Sequence, residues 1–137
     1  MMVTLNKESM SVTREVDVIP FRNRLKEMAT KIGMGLVNQT KLITAASELS
    51  RNMLRYAKGG MVTLEVVNKG RENGIRLTFS DEGPGIANIE QAMKDGFSTG
   101  KSLGLGLPGT RRLVSDFQID SKVGVGTVVT IVKWKNG

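Results

Sequence analysis

The hydrophobic residues in the first half of the chain recur mainly at helical spacing, after a short alternating segment. The alternation of Val12 and Val16 with polar neighbours predicts a first strand. Two apolar stripes then predict two helices, the first capped by Asp17 and the second by Asn38. The stripes are Phe21, Leu25, Met28 and Ile32 in the first helix, and Leu42, Ala46, Leu49 and Met53 in the second.

The period changes to two in the second half of the chain, where Asn73 and Gly74 are a turn signal between two alternating runs. The predicted elements are strands at 62–67 and 75–80, a short helix at 88–95, a helix at 107–117, and a closing hairpin of 118–122 and 127–134. Because helices come early and strands come in hairpins, the pattern predicts an α+β fold. Its sheet is mostly antiparallel, with helices on one face and the other face exposed to a partner.

Composition narrows the possible chemistry. The 137 residues predict a single domain spanning 1–137. The chain has no cysteine and no histidine. Disulfides, thiolate catalysis, a Ser-His-Asp triad and phosphohistidine are therefore excluded. The start of the chain lacks the apolar core of a signal peptide, and no apolar stretch approaches the length of a membrane span, so a cytoplasmic protein without a membrane partner is predicted.

The net charge of +7 favours anionic partners such as nucleotides or an acidic protein. Single-stranded nucleic acid is bound by aromatic side chains interleaved with basic ones. Only six residues of this chain are aromatic, and they are not arranged in that way. We therefore predict no nucleic-acid partner, and interpret the excess charge as a solvated face or as a surface for an acidic partner.

Two glycine motifs resemble phosphate-binding loops but fail on context. The segment 96–102 has three residues between its glycines, whereas a P-loop has four and follows a strand. Gly104, Gly106 and Gly109 match a dinucleotide fingerprint, yet no strand precedes them. The remaining interpretations are a flexible loop, or a glycine-rich helix start whose backbone amides attract an anion.

Three polar residues are candidates for chemistry. Glu48 and Asn52 lie four residues apart on the second predicted helix, at the edge of its apolar stripe. An amide oxygen suits Mg²⁺ and a carboxylate suits a general base, whereas the pattern taken by itself favours a solvent-facing polar pair. Asp81 ends a predicted strand before Gly83 and Gly85, either as a turn residue or as the acceptor for the amino group of a base.

Four motifs in order resemble the N, G1 and G2 boxes and the terminal Gly-Thr of the GHKL superfamily of ATPases and kinases, whose Bergerat fold is a two-layer α/β sandwich. They are the segments 48–52, 81–86 and 103–109, and the pair Gly126-Thr127. Within the superfamily, the glycine-rich region is most similar to that of the stressosome switch kinases. Anti-sigma factor kinases are their sister class.

The resemblance implies binding of ATP and Mg²⁺. Carried over by position, Glu48 is the general base, Asn52 holds Mg²⁺, and Asp81 binds the adenine amino group. The other implied contacts are Gly83 and Gly85 beside the base, Thr127 at the adenine directly or through water, and Gly104, Gly106 and Leu107 with their backbone amides at the phosphates. Lys101 is a further candidate phosphate contact, and an exposed loop lysine is the other interpretation.

The resemblance also implies a serine/threonine protein kinase. Its implied substrates are STAS-domain scaffold or antagonist proteins. After transfer, the kinase is released to a downstream effector such as a PP2C-type phosphatase regulator. The alternatives are an anti-sigma factor with the same ATP site, a kinase-dead nucleotide sensor, and a nucleic-acid binder. The presence of both Glu48 and Asn52 argues against the sensor.

Overall fold

Strands and helices alternate in groups along the chain, and the computed structural model describes residues 1–94 and 106–137. The strands are β1 (Met2–Val12), β2 (Gly60–Lys69), β3 (Glu72–Asp81), β4 (Asp116–Lys122) and β5 (Gly126–Trp134). The α-helices in the described ranges are α1 (Val18–Lys31), α2 (Leu36–Ala57), α3 (Ile89–Ala92) and α4 (Gly106–Arg112), and a 3-10 turn at Glu15–Asp17 precedes α1.

The five strands form one sheet in the order β1-β2-β3-β5-β4, and every neighbouring pair is antiparallel. The last strand, β5, lies between β3 and the edge strand β4. This pairing sets Asp81, at the end of β3, directly opposite Thr127, near the start of β5. Two motifs that are 46 residues apart in sequence therefore meet at one end of the sheet.

Helices α1 and α2 pack on one face of the sheet and form the core with it. The rings of Phe21 on α1 and Phe79 on β3 meet edge to face, with centroids 6.0 Å apart. Truncating a large buried side chain of this kind costs about 3–5 kcal/mol. Seven of the eight predicted stripe residues are buried and Ile32 is half-buried, so the predicted α+β fold with helices on one face is confirmed.

The start of the chain differs from the prediction. The first strand lies earlier, at Met2–Val12, and the chain turns after it. The carboxylate of Asp17 accepts hydrogen bonds from the backbone N–H groups of Thr13 and Arg14, both at 3.0 Å. These bonds lower the pKa of Asp17 below its usual value, that to Thr13 most strongly. Asp17 thus closes the turn before α1 instead of capping the helix with its side chain.

Two further local predictions are wrong. Helix α2 begins at Leu36 with Gly35 as N-cap, and the Asn38 amide instead donates to the backbone oxygen of Lys135 at 3.1 Å. The predicted helix 107–117 ends at Arg112, because the chain then enters β4.

The turn predicted at Asn73 and Gly74 lies inside β3, and the chain reverses at residues 70–71. Gly74 is opposite Trp134, and a Cβ there would lie 2.6 Å from the indole ring. The side-chain amide of Asn68 donates to Asn73 Oδ1 across the hairpin at 2.8 Å. Cross-strand packing therefore overrides the local turn preference of the Asn-Gly pair.

The face of the sheet opposite the helices is less exposed than predicted. Glu65, Val67 and Val132 on this face are all buried, whereas Val128 is exposed. On the same face, the Arg76 guanidinium contacts Met2 and Thr4 of the edge strand β1. None of the helices within residues 1–94 and 106–137 is long and apolar enough to cross a membrane.

Candidate functional site

The candidate site lies where β3 ends and β5 begins, and Asp81 is at its centre. Asp81 continues the alternation of Leu77 and Phe79, so its side chain is on the helix-covered face of the sheet. Its Oδ1 accepts hydrogen bonds from the backbone N–H of Gly83 at 2.9 Å and of Thr127 at 3.2 Å. Within the described ranges, both of its hydrogen bonds end on Oδ1, which leaves Oδ2 as an acceptor for a ligand.

A chain of hydroxyl groups continues from this carboxylate. The Thr127 and Ser121 hydroxyl oxygens lie 2.7 Å apart. Ser121 also accepts the backbone N–H of Ile86 at 2.7 Å, and its Oγ lies 3.2 Å from the backbone oxygen of Gly126. The sequence prediction missed Ser121. Its signal was the register of the closing hairpin, in which Ser121 and Thr127 are direct partners.

Two glycines are required by the backbone packing around Asp81. Gly85 has φ of +77°, and a Cβ there would lie 2.4 Å from the backbone oxygen of Lys122. Gly126 has φ of +148°, and a Cβ there would lie 2.0 Å from the backbone oxygen of Asp81. Other residues could not adopt these approaches without moving a strand end. The glycines therefore fix the loop 82–86 against the β4–β5 hairpin.

The predicted polar pair on α2 lies at the edge of the core. Glu48 and Asn52 are both half-buried, and each is followed by a buried apolar residue. The Glu48 side chain is 17% exposed, and its carboxylate lies 3.5 Å from the Arg51 guanidinium. Helix α2 ends beside the Asp81 loop, since a Cβ on Gly83 would lie 2.5 Å from that of Ala57. The structure thus brings α2 and the Asp81 loop together.

The ligand set of a metal can be tested on the described residues. Within residues 1–94 and 106–137, no group of three or more His, Cys, Asp or Glu side chains could hold a metal ion. A protein-only metal cage is therefore absent from these ranges. Half-buried Asn52 could supply one amide oxygen to Mg²⁺, whose other ligands would then come from phosphates and water.

Helix α4 begins at Gly106 and packs against α2. Gly106 has φ of +69°, and its backbone oxygen accepts the hydroxyl of fully buried Thr110 at 2.9 Å. Leu107 packs against the core. This anchors the first turn of α4, where Gly106 and Leu107 are predicted phosphate contacts. The predicted contacts Lys101 and Gly104 lie outside the described residues.

The fold and this site define a known class of ATP-binding domain. Residues 37–136 match the family described as histidine kinase-, DNA gyrase B- and HSP90-like ATPases. The chain therefore belongs to this family, and the predicted GHKL resemblance is confirmed.

Among curated proteins, the chain is 39% identical over 123 residues to the serine/threonine-protein kinase RsbT of Bacillus subtilis. The match covers 90% of this chain and 92% of that protein. It is also 31% identical over 101 residues to an anti-sigma F factor of Anoxybacillus flavithermus, covering 69% of this chain and 68% of that protein.

Two solved structures share the fold. The RsbU and RsbW domains of a Mycobacterium tuberculosis protein superpose with a TM-score of 0.66 at 18% identity, over 93% of this chain and 32% of that chain. The mycobacterial sensor histidine kinase MprB superposes with a TM-score of 0.56 at 19% identity, over 94% of this chain and 97% of that chain. At these identities the likeness concerns the fold alone.

Proposed function

We propose that this chain is a single-domain serine/threonine protein kinase that uses ATP and Mg²⁺ in the cytoplasm. The observation that carries the proposal is Asp81, whose Oδ1 is held by two backbone N–H groups while Oδ2 faces no partner in the described ranges. A fixed carboxylate acceptor of this kind suits the amino group of adenine. Membership of the ATPase family and the similarity to the serine/threonine-protein kinase RsbT support the proposal.

The nucleotide is bound by residues at the end of β3, at the start of β5 and at the start of α4. Asp81 accepts a hydrogen bond from the adenine amino group, and the Thr127 hydroxyl contacts the adenine directly or through water. Gly83 and Gly85 keep the loop close to the base without side chains of their own. Gly106 and Leu107 present backbone amides to the phosphates at the start of α4, together with Gly104 and Lys101 outside the described residues.

Phosphoryl transfer is assigned to α2. Asn52 would hold Mg²⁺, which would supply positive charge to offset that of the transferring phosphoryl group. Glu48 accepts the proton of the attacking hydroxyl, and its half-buried carboxylate is one helical turn from Asn52. Because the chain has no histidine, it cannot phosphorylate its own histidine, and the acceptor is a serine or threonine on a partner.

The proposed partners come from the switch-kinase class. The substrates are STAS-domain proteins of a bacterial stress-signalling complex, the stressosome. After transfer, the kinase binds a downstream effector such as a PP2C-type phosphatase regulator. The support is the match to the RsbT kinase, which covers nine-tenths of both chains.

The test is transfer of label from γ-labelled ATP, with Mg²⁺, to STAS-domain proteins from the same genome. We expect label on a serine or threonine, lost in Asn52→Ala and strongly slowed in Glu48→Gln. Asn38→Ala is the matched control, because Asn38 is on the same helix but bonds Lys135 at the other end of the domain. Full transfer by Asn52→Ala would contradict the assignment of Asn52.

A second candidate function is an anti-sigma factor with the same ATP site. The observation that favours it is the 31% identity to an anti-sigma F factor over two-thirds of the chain. Binding to isolated sigma factors separates the two. Tight ATP binding without phosphoryl transfer to any STAS-domain protein, together with capture of a purified sigma factor, would replace the switch-kinase proposal.

A further inference from the structure

The N-terminal end of α2 combines exposed apolar side chains with lysines. Leu36 and Val37, the first two residues of the helix, are 75% and 70% exposed. Lys41 is one helical turn after Val37 on the same side of the helix, and it is also exposed. The ammonium of Lys135 lies beside the loop that precedes α2, since a Cβ on Gly33 would be 3.2 Å from it. The family motifs and the proposed function assign no role to these side chains.

The positive charges at this end lack acidic partners in the part of the chain that the structure describes. Lys133 is only 4% exposed, and its ammonium donates to the backbone oxygen of Gly137 at 2.9 Å. The pKa of Lys133 is lowered by its burial and, to a smaller extent, by the charge of Lys41. Within the described ranges, neither of these lysines nor Lys135 forms an ion pair with an Asp or Glu side chain. Their combined field therefore favours an acidic partner.

The order of the proposed site along α2 indicates from which side a phosphoacceptor arrives. The Asp81 loop lies beside Ala57 at the C-terminal end of the helix. Asn52, assigned to Mg²⁺, and then Glu48, assigned to the base, follow toward the N-terminal end. The attacking hydroxyl therefore approaches from the N-terminal half of α2. Lys41 is seven residues before Glu48, which is two helical turns, or about 10 Å, along the same face.

We propose that Leu36, Val37, Lys41 and Lys135 form a docking surface for an acidic segment of the phosphoacceptor protein, in which an apolar side chain is flanked by carboxylates. The inference rests on the proposed kinase function and adds the surface that recruits its substrate. Leu36 is twelve residues from Glu48, about 18 Å along the helix, whereas a small domain is about 30 Å across. One partner domain therefore contacts this docking surface while its hydroxyl is beside Glu48.

The test measures binding and phosphoryl transfer separately, with the full chain and STAS-domain proteins from the same genome. Calorimetry with Mg²⁺ and a non-hydrolysable ATP analogue gives the dissociation constant of each protein. We expect Lys41→Gln with Lys135→Gln to weaken binding about tenfold at low salt and much less at high salt, where screening already removes the attraction. KM for the partner should rise by a similar factor, while kcat and ATP affinity stay within about twofold.

The apolar half of the docking surface is tested by Val37→Ser. Because the lost contact is apolar, binding should weaken about fivefold at low and high salt alike. This single exposed substitution also tests the surface if thermal unfolding shows that the double variant does not fold. Equal affinity of Val37→Ser and the parent would mean that the apolar pair is not part of the interface.

Lys7→Gln with Lys69→Gln is the matched control, because both lysines are exposed on the other face of the sheet and the same charge is removed. It should leave the dissociation constant within about twofold. Three results would overturn the inference: equal weakening by the two double variants, unchanged binding in Lys41→Gln with Lys135→Gln, or no binding of any STAS-domain protein to the parent. A loss confined to a PP2C-type regulator, or to vesicles containing phosphatidylserine, would overturn it as well.

The two readouts separate this inference from the proposed function. Binding of a STAS-domain protein through the docking surface, without transfer of label to it, would refute the proposed kinase function and leave the surface as a site for an acidic partner. Transfer that persists with an unchanged KM in Lys41→Gln with Lys135→Gln would refute the docking surface and leave the kinase function in place.

Discussion

Two carboxylates are built into the same sheet on opposite faces, and their surroundings differ. Glu65 is buried on the face away from the helices, where Arg76 binds both of its oxygens at 3.0 and 2.9 Å and Thr4 donates to it at 3.1 Å. Asp81 is half-buried on the helix-covered face, and both hydrogen bonds that it accepts from residues 1–94 and 106–137 end on Oδ1. One carboxylate is saturated by the protein, and the other keeps an oxygen for a ligand.

The difference shows how one sheet separates stability from binding. The Arg76 guanidinium lowers the pKa of Glu65 below its usual value through its hydrogen bonds and keeps the buried group ionised. Burying a carboxylate without such a partner is costly. Asp81 instead receives backbone N–H donors from the part of the chain that the structure describes, and these orient it without neutralising its charge. Changes at Glu65 should therefore affect folding, and changes at Asp81 should affect the ligand.

The largest expected effect is the loss of ATP binding in Asp81→Asn. An amide keeps the size of the side chain but turns an acceptor into a donor that faces the adenine amino group. We expect ATP affinity to fall at least about thirtyfold, the cost of a lost charge-assisted bond and an unpaired donor. Calorimetry measures the affinity and thermal unfolding measures the stability. Unchanged affinity would refute the role of Asp81.

The second largest effect is expected in Arg76→Leu, which leaves Glu65 buried without a counter-charge. We expect the free energy of unfolding to fall by about 2–3 kcal/mol, somewhat below the cost for a fully buried pair because Arg76 is partly exposed. ATP affinity should stay within twofold. The double variant with Glu65→Leu should recover most of the loss, and a double variant as unstable as Arg76→Leu would contradict the argument.

The pH dependence of stability gives a third test. The carboxyls of Glu65 and Glu8 both have their pKa lowered, chiefly by hydrogen bonds from Arg76 and Arg24 respectively. A depressed folded-state pKa gives stability that is present above the usual value of 4.5 and is lost as pH falls through the folded-state pKa. Urea unfolding should therefore show a decline that begins below about pH 4.5.

Comparing the parent with Arg76→Leu isolates Glu65, because the Glu8–Arg24 pair is the same in both. In the variant the pKa of Glu65 is raised by burial, so protonation removes a buried unpaired charge and stabilises the folded variant. In the parent, protonation of Glu65 removes the ion pair with Arg76 and destabilises the folded state. Their difference in unfolding free energy should narrow to below about 1 kcal/mol at pH 3. A constant difference from pH 7 to pH 3 would show that Arg76 acts by packing alone.

The elements that could be predicted from the sequence are those that follow a regular spacing of apolar residues. The apolar stripes of α1 and α2 are regular, so both helices and the helix-covered face could be found from spacing. Asp81 and Thr127 could be found because each belongs to a motif with glycines at fixed positions. The structure then explained Gly85 and Gly126 by close backbone approach, which spacing does not reveal.

The parts that were missed depend on contacts between distant strands. Strand β1 has polar residues on both faces, so alternation gave no signal before the end of the strand at Val12. The Asn73-Gly74 pair reads locally as a turn, and the packing of Gly74 against Trp134 of the last strand helps to explain why it is extended. Ser121 was missed because its partners Ile86 and Thr127 meet it only after the hairpin has formed.

The smallest expected effect sharpens the comparison between the two carboxylates. Thr4→Val removes the hydroxyl that donates to Glu65 and accepts from Arg76 at 3.2 Å, but it leaves the ion pair in place. We expect a loss of about 0.5–1 kcal/mol in unfolding free energy and no change in ATP affinity.

Thr127→Val is the same substitution beside the unsaturated carboxylate, and should lower ATP affinity with little loss of stability. A change of more than twofold in ATP affinity in Thr4→Val would mean that the two faces of the sheet are energetically coupled and that stability and binding are not separated.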